Sequence, residues 1–265
     1  MASPSHPYLD GPVPRAFAHR GWHLDDLAGM ENSLAAFRRA AAEGYRYLET
    51  DVRATCDGVV VVLHDPTLDR TTDRSGAIEQ LDWAAVRTAR VGGREPVCRL
   101  EELLEELPEA RFNVDVKADS AVTPVVELLH RTGAWHRVCL ASFSEARLQR
   151  LRRAAGPRLL TSIGTASAAA LRLRSALPFL PGPPIRGGLA QLPVRRHGIP
   201  LVDRALLRYA HGHGLEVHVW TIDRAEEMAA LLDLGVDGLV TDRPDVLRDV
   251  LRGRDAWPGA DGQTR

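Results

Sequence analysis

The chain has 265 residues, 45% hydrophobic and 26% charged, with a formal net charge of −1. That length suits a single α/β barrel, the apolar fraction supports a sizeable core, and the near-neutral balance gives no footprint for nucleic acid. Cys56, Cys98 and Cys139 form no CxxC and no disulfide framework, which points to a reduced, cytoplasmic setting. The sequence shows no basic-then-apolar leader, and no apolar run reaches the roughly 20 residues that span a bilayer.

In chain order, residues 1–14 are rich in proline and small polar residues and read as a flexible lead-in. Residues 15–18 form a short strand that delivers His19-Arg20-Gly21, where Gly21 permits a sharp turn. A loop with Trp22 and His23 leads to Glu31-Asn32-Ser33 and then LAAFRRAAAEG. Leu34, Phe37 and Ala41 recur there at helical spacing, Gly44 closes the helix, and Asn32 or Ser33 is the expected N-cap.

Residues 48–65, LETDVRATCDGVVVVLHD, carry the densest chemistry. Glu49 and Asp51 lie two apart, so on a strand both carboxylates share a face. Asp57-Gly58 supplies a turn, 59–63 is an apolar run suited to a buried strand, and His64-Asp65 stands at its end. Same-face carboxylates suit a hard cation, and a nearby histidine suits proton transfer near neutral pH. Metal-assisted hydrolysis or elimination is the chemistry these types share. An isolated ExD is more often solvated or salt-bridged; in this chain the polar ends of the other strands add to its weight.

Residues 66–73 are polar loop material, 81–91 holds a short helix around Trp83, and 100–107 is a helix ended by Pro108. In RFNVDVK, 111–117, Phe112, Val114 and Val116 face one way and Asn113, Asp115 and Lys117 the other. Buried at a barrel mouth, that polar face must be paired or functional. The remainder repeats strand then helix, with helices expected at 119–132, 144–155, 167–177, 203–213 and 224–234 and a proline-rich loop before Gly187. Residues 254–265 read as a disordered tail.

Strands around Ala16, Tyr47, Phe112, Val138, Leu159, Leu189, Val217 and Leu239 alternate with helices. This predicts one (β/α)8 TIM-barrel domain over 15–253, with a small insertion after the second strand. The alternative, an open doubly wound sheet, lacks a GxGxxG or GxxxxGKS after its first strand. In the barrel, His19, Glu49, Asp51, Asp115, Lys117, Gln191 and Trp220 all fall at carboxyl ends of strands, the face where such barrels build active sites. His211, His213 and His218 read as an exposed turn and a barrel wall, and Asp242 as a cap for the helix after it.

The ordered set His19-Arg20-Gly21, Glu31-Asn32-Ser33, Glu49-Thr50-Asp51, Val62-Leu63-His64-Asp65, Asn113-Val114-Asp115-Val116-Lys117, Trp220-Thr221-Ile222-Asp223 and Gly235-Val236-Asp237-Gly238-Leu239-Val240-Thr241-Asp242 resembles the successive motifs of glycerophosphodiester phosphodiesterases. The resemblance implies a TIM barrel whose small insertion carries the second histidine. It implies His19 and His64 as an acid–base pair, and Glu49, Asp51 and Asp115 as ligands of a divalent cation (Mg²⁺, Ca²⁺ or Mn²⁺). Asp115 stands where many relatives carry glutamate. Arg20 and Lys117 match phosphate contacts, with Glu31, Gln191 and Trp220 on the substrate side. The implied reaction is hydrolysis of a small-molecule glycerophosphodiester to sn-glycerol 3-phosphate and an alcohol, with attack by water or by the substrate's own neighbouring hydroxyl, and with no nucleic acid or membrane insertion. One alternative is a lysophospholipase D-like phosphodiesterase or lyase, which an extended apolar rim would favour. Another is a non-catalytic barrel binding a phosphorylated ligand, which loss of either histidine would favour.

Overall fold

The computed structural model describes residues 6–177, 179, 184–196 and 198–257. Eight parallel strands carry the fold: β1 (Arg15–His19), β2 (Tyr47–Ala54), β3 (Arg111–Val116), β4 (Val138–Ala141), β5 (Leu160–Thr161), β6 (Leu189–Pro193), β7 (Glu216–Trp220) and β8 (Gly238–Thr241). Their spatial order is β5-β4-β3-β2-β1-β8-β7-β6, and a parallel bridge from Ser162 to Leu189 joins the two ends into a barrel. Around it lie α1 (Leu34–Ala42), α2 (Leu100–Glu106), α3 (Val122–Thr132), α4 (Glu145–Ala155), α5 (Thr165–Ala176), α6 (Arg204–Gly212), α7 (Ala225–Leu234) and α8 (Pro244–Arg252). The architecture is the (β/α)8 barrel that the alternation predicts. Among the described residues no helix is long and apolar enough to cross a membrane.

Strand parity sorts side chains into two cores. Ala16 and Ala18, Leu48 and Val52, Phe112, Val114 and Val116, and Val217 and Val219 face outward and pack with the helices. The opposite parity turns Phe17, Tyr47, Cys139, Leu189 and Val240 into the barrel. Each strand thus sends every second residue to the interior, so the polar ones among them meet at its two ends.

The floor is closed by charge and aromatic rings. Arg15 donates to both carboxylate oxygens of Glu216, at 2.7 and 2.6 Å, and to the Tyr47 hydroxyl at 2.7 Å. Tyr47 in turn donates to the Tyr8 carbonyl at 2.8 Å, and Tyr8, in the one-turn helix Pro7–Leu9, is fully buried. Residues 6–14, expected as a flexible lead-in, therefore plug the barrel from below; residues 1–5 lie outside the described residues. Trp257 likewise packs edge-on against Tyr45, with ring centroids 4.9 Å apart, so residues 254–257, expected as part of a disordered tail, are ordered against the barrel. Composition registers proline and polarity there; it does not register that one aromatic ring has a partner across the fold. Residues 258–265, and most of the proline-rich loop (178 and 180–183), lie outside the described residues.

The insertion leaves β2 through the Asp57-Gly58 turn and returns as a strand, Val60–Val62, antiparallel to β2 with Val62 opposite Val52. It holds a small core of its own, including Val61, Leu63, Leu68, Ile78, Val86 and Val91. Its short helix Trp83–Val86 begins at Asp82, whose carboxylate accepts from the Ala85 amide at 2.8 Å.

The floor pair predicts a pH-dependent stability. Burial alone would raise the Glu216 carboxyl, but Arg15 and His218 outweigh it and hold the group at about 2 against an ordinary 4.5. Glu216→Gln leaves the Arg15 guanidinium buried and uncompensated, and should cost about 2 kcal/mol at neutral pH. A depressed carboxyl stabilises the fold above its unfolded pKa and loses that effect as it protonates. The difference between parent and variant should therefore shrink as pH falls from about 4.5 through about 2. Denaturant titrations across that range measure it, and a difference independent of pH would refute the assignment.

Candidate active site

The carboxyl ends of β1, β2 and β3 bring the charged residues together by register. His19 pairs with Glu49, Glu49 with Asn113, and Asp51 with Asp115 across adjacent strands. They open on a cavity of about 670 Å³, whose wall includes His19, Arg20, Glu49, Asp51, His64, Asp115, Lys117, Gln191 and Trp220. Glu31 does not reach this wall; it stands behind Arg20, accepting from its guanidinium at 2.9 Å.

Asp51 is the most deeply buried acid of the group, 1% exposed. Lys117 Nζ lies 2.8 Å from its Oδ1, Arg20 Nε lies 3.0 Å from its Oδ2, and Asn32 Nδ2 donates to the same oxygen at 3.0 Å. Burial would raise its pKa, yet Lys117 and Arg20 keep it below the usual carboxylate range. Lys117 also donates to Asp115 at 2.6 Å. Asp115 is raised, chiefly by burial. Glu49 is pushed up to about 7, by burial first and then by neighbouring Asp51. Its nearest imidazole nitrogen, His19 Nε2, is 3.6 Å away.

Both histidines are held through Nδ1. His19 Nδ1 meets Asp242 at 2.6 Å, and His64 Nδ1 meets Asp65 at 2.7 Å. Burial would lower the His19 pKa, but Glu49 and Asp242 together raise it. Asp242 also meets His23 Nε2 at 3.3 Å. Its place before Pro244 suggests a helix cap, but its carboxylate serves the histidines, and α8 begins without a side-chain cap. Asp65 accepts from Arg70 Nε at 2.5 Å, and Arg70 reaches on to both oxygens of Glu31, at 2.7 and 2.9 Å. Arg70 thus adds a charged tie between the insertion and the barrel, beside the pairing of Val60–Val62 with β2. Its sequence context, a run of polar loop residues, gives no sign of this, because both partners come from other segments.

Asn32 also departs from expectation. Ser33 is the cap of α1, accepting from the Ala36 amide at 3.2 Å. Asn32 sits before it at φ 59°, 2% exposed, its Oδ1 accepting from the Thr50 hydroxyl at 2.9 Å while its amide holds Asp51. Elsewhere, His211 pairs with Asp237 at 2.7 Å and His213 stacks on Tyr209, with centroids 4.2 Å apart. Among the described residues no three His, Cys, Asp or Glu side chains converge as metal ligands; at the barrel mouth the Lys117 ammonium stands between Asp51 and Asp115.

A closed barrel whose mouth gathers buried carboxylates, two cationic side chains and two buttressed histidines is the frame of an enzyme acting on a small anionic ester. The chain belongs to the glycerophosphoryl diester phosphodiesterase family, whose model matches residues 19–246. It is 42% identical over 256 residues to the Mycobacterium tuberculosis protein named "Probable glycerophosphodiester phosphodiesterase 2", across 92% of this chain and 93% of that one. It is 27% identical to a glycerophosphodiester phosphodiesterase from Agrobacterium tumefaciens whose crystal structure matches with a TM-score of 0.71, covering 89% of this chain and 99% of that one. An Oleispira antarctica phosphodiesterase, solved with the product sn-glycerol-3-phosphate, shares the fold at 21% identity and a TM-score of 0.72, over 91% and 97% of the two chains.

The left-handed backbone at Asn32 separates two effects of substitution. Asn32→Gly and Asn32→Ala both remove the bonds to Thr50 and Asp51, while alanine alone adds the cost of positive φ. Asn32→Ala should be the less stable of the two by about 1 kcal/mol. Equilibrium denaturation of both variants decides it; equal stability would mean the backbone is not constrained there.

Proposed function

We propose that the protein hydrolyses glycerophosphodiesters to sn-glycerol 3-phosphate and an alcohol, with His19 and His64 moving the protons and a divalent cation held by Glu49, Asp51 and Asp115. The observation that carries this reading is the pair of cavity-lining histidines, each held at Nδ1 by its own carboxylate. Holding Nδ1 fixes each ring and leaves Nε2 as the nitrogen that takes or gives a proton.

The donor set suits a hard cation. Its atoms are buried carboxylate oxygens: Asp115 Oδ1 accepts no hydrogen bond, Asp51 Oδ1 faces the Lys117 ammonium at 2.8 Å, and burial, followed by neighbouring Asp51, pushes Glu49 up to about 7. Bound there, the cation would supply positive charge against the phosphoryl oxygens.

The chain's own residues supply the rest. A phosphodiester anion repels a nucleophile, and Arg20 and Lys117 line the cavity with charged N–H donors that offset this and stabilise the charge that develops. As the attacking oxygen bonds to phosphorus, one imidazole takes its proton at Nε2. As the bond from phosphorus to the alcohol oxygen breaks, the other imidazole returns a proton to that oxygen, so no free alkoxide leaves. Asp242 and Asp65 stabilise whichever ring is charged. The names of the Mycobacterium tuberculosis and Agrobacterium tumefaciens relatives, and the product in the Oleispira antarctica structure, support this choice of substrate.

A panel of glycerophosphocholine, glycerophosphoethanolamine, glycerophosphoinositol and a lysophospholipid, followed by release of sn-glycerol 3-phosphate, tests the reaction. Turnover of the lysophospholipid alone would replace this reading. Exhaustive chelation should abolish activity and Mg²⁺, Mn²⁺ or Ca²⁺ should restore it; full activity in chelator would remove the cation from the scheme. His19→Ala and His64→Ala should each lower kcat by at least about 100-fold. The double variant should lose less than the product of the two, because the pair works as a unit. Near-parental rates in both single variants would show that these residues are not the proton carriers.

A further inference from the structure

The cavity has two unlike sides. Every acid on its wall, Glu49, Asp51 and Asp115, sits on β2 or β3. The side built from β4 to β7 has no acid among the described lining residues, yet Arg195 and Arg196, which follow β6, line it. Both are exposed. Among the described residues Arg195 donates one side-chain hydrogen bond, to the Gly198 carbonyl at 3.2 Å, and neither guanidinium has a carboxylate partner. On the same side the Gln191 amide nitrogen is buried without an acceptor. Glu145, on α4, packs against Gly164 and pairs with Arg152 at 3.4 Å, and it is not on the wall. Three donor groups thus line this side, and among the described residues none of them has a carboxylate partner.

A cationic head group would fit this side poorly. It would meet two like charges and no acid. The aromatic pair Phe143 and Trp220, edge to face with centroids 5.5 Å apart, offers a ring face for a quaternary ammonium. Lys117 Nζ already lies 5.7 Å over the Phe143 ring, so that ring has its cation. A second anion on the substrate would instead receive two guanidinium forks and an amide. The glycerol of the retained product carries no charge, so the anion must sit on the alcohol that leaves.

We propose that the preferred substrates are glycerophosphodiesters whose leaving alcohol bears an anionic group of its own, such as a second phosphate ester, held by Arg195 and Arg196 across the cavity from the reacting phosphate. This rests on the diesterase activity proposed for the same site.

A charge series tests it: glycerophosphocholine, glycerophosphoglycerol and bis(glycerophospho)glycerol, whose alcohols are cationic, neutral and anionic. At low salt kcat/KM should rise along the series, by about 10-fold or more between its ends, mostly through KM, because the contact is equal in ground and transition states. The rise should flatten as ionic strength approaches about 0.5 M, where exposed charges are screened. In the double variant Arg195→Ala/Arg196→Ala the ratio of the anionic to the neutral substrate should fall to about one. Both residues are on the surface, so the variant should fold, and its melting temperature checks that. A flat or inverted series in the parent, or a ratio unchanged in the variant, would overturn the proposal. No turnover of any of the three by folded protein would overturn the diesterase reading itself, and this inference with it.

Discussion

One buried charge sets the arrangement of the barrel mouth. Asp51 is taken almost wholly out of water, and an unpaired carboxylate there would cost several kcal/mol. Three segments meet that cost together: Arg20 from the turn after β1, Asn32 from the approach to α1, and Lys117 from the end of β3. Each of these is in turn fixed by something else. Arg20 leans on Glu31, Asn32 on Thr50, and Lys117 on Asp115. The mouth is a network of alternating charge in which moving one member leaves another uncompensated.

The network extends to the insertion. From His64 it runs through Asp65, Arg70, Glu31 and Arg20 to Asp51, with opposite charges at every step after the histidine. The insertion has its own small core, its strand is paired with β2, and Arg53 donates to the His64 carbonyl at 2.9 Å. Arg70 adds the side-chain link that ties Asp65, and through it the His64 ring, to Glu31. The same strands that present these groups also hold the floor: β1 carries Arg15 below and His19 above, and β7 carries Glu216 below and Trp220 above, at alternate positions of one parity. Fold and site are written in the same residues.

Much of this could be read from the sequence, and the reason is periodicity. Eight strands alternating with helices show in residue order because each strand and each helix leaves its own repeat, and RFNVDVK shows its parity directly. Glu49 and Asp51, and Asn113, Asp115 and Lys117, share faces by counting alone. What stayed hidden are pairings between residues far apart in sequence. Asp242 is 223 residues from His19, and Arg15 is 201 from Glu216. Arg70 and Tyr8 look like loop and lead-in until their partners are in place. Asn32 looks like a cap because asparagine caps helices well; its left-handed backbone is set by the chain around it. Local pattern reports which residues share a surface, and partner choice across the barrel is settled only when the surfaces close.

Lys117 is the sole lysine in the 265 residues. Every other permanent side-chain cation is an arginine, so the one flexible ammonium of the protein is the one between Asp51 and Asp115. A chemistry that acts on lysine side chains, such as acylation, reductive methylation or isopeptide attachment, therefore meets a single target, its side chain only 15% exposed in the barrel mouth. For spectroscopy the same scarcity is an advantage. Protein made with isotopically labelled lysine carries one side-chain amine signal, and that signal comes from the centre of the charge network with no assignment required.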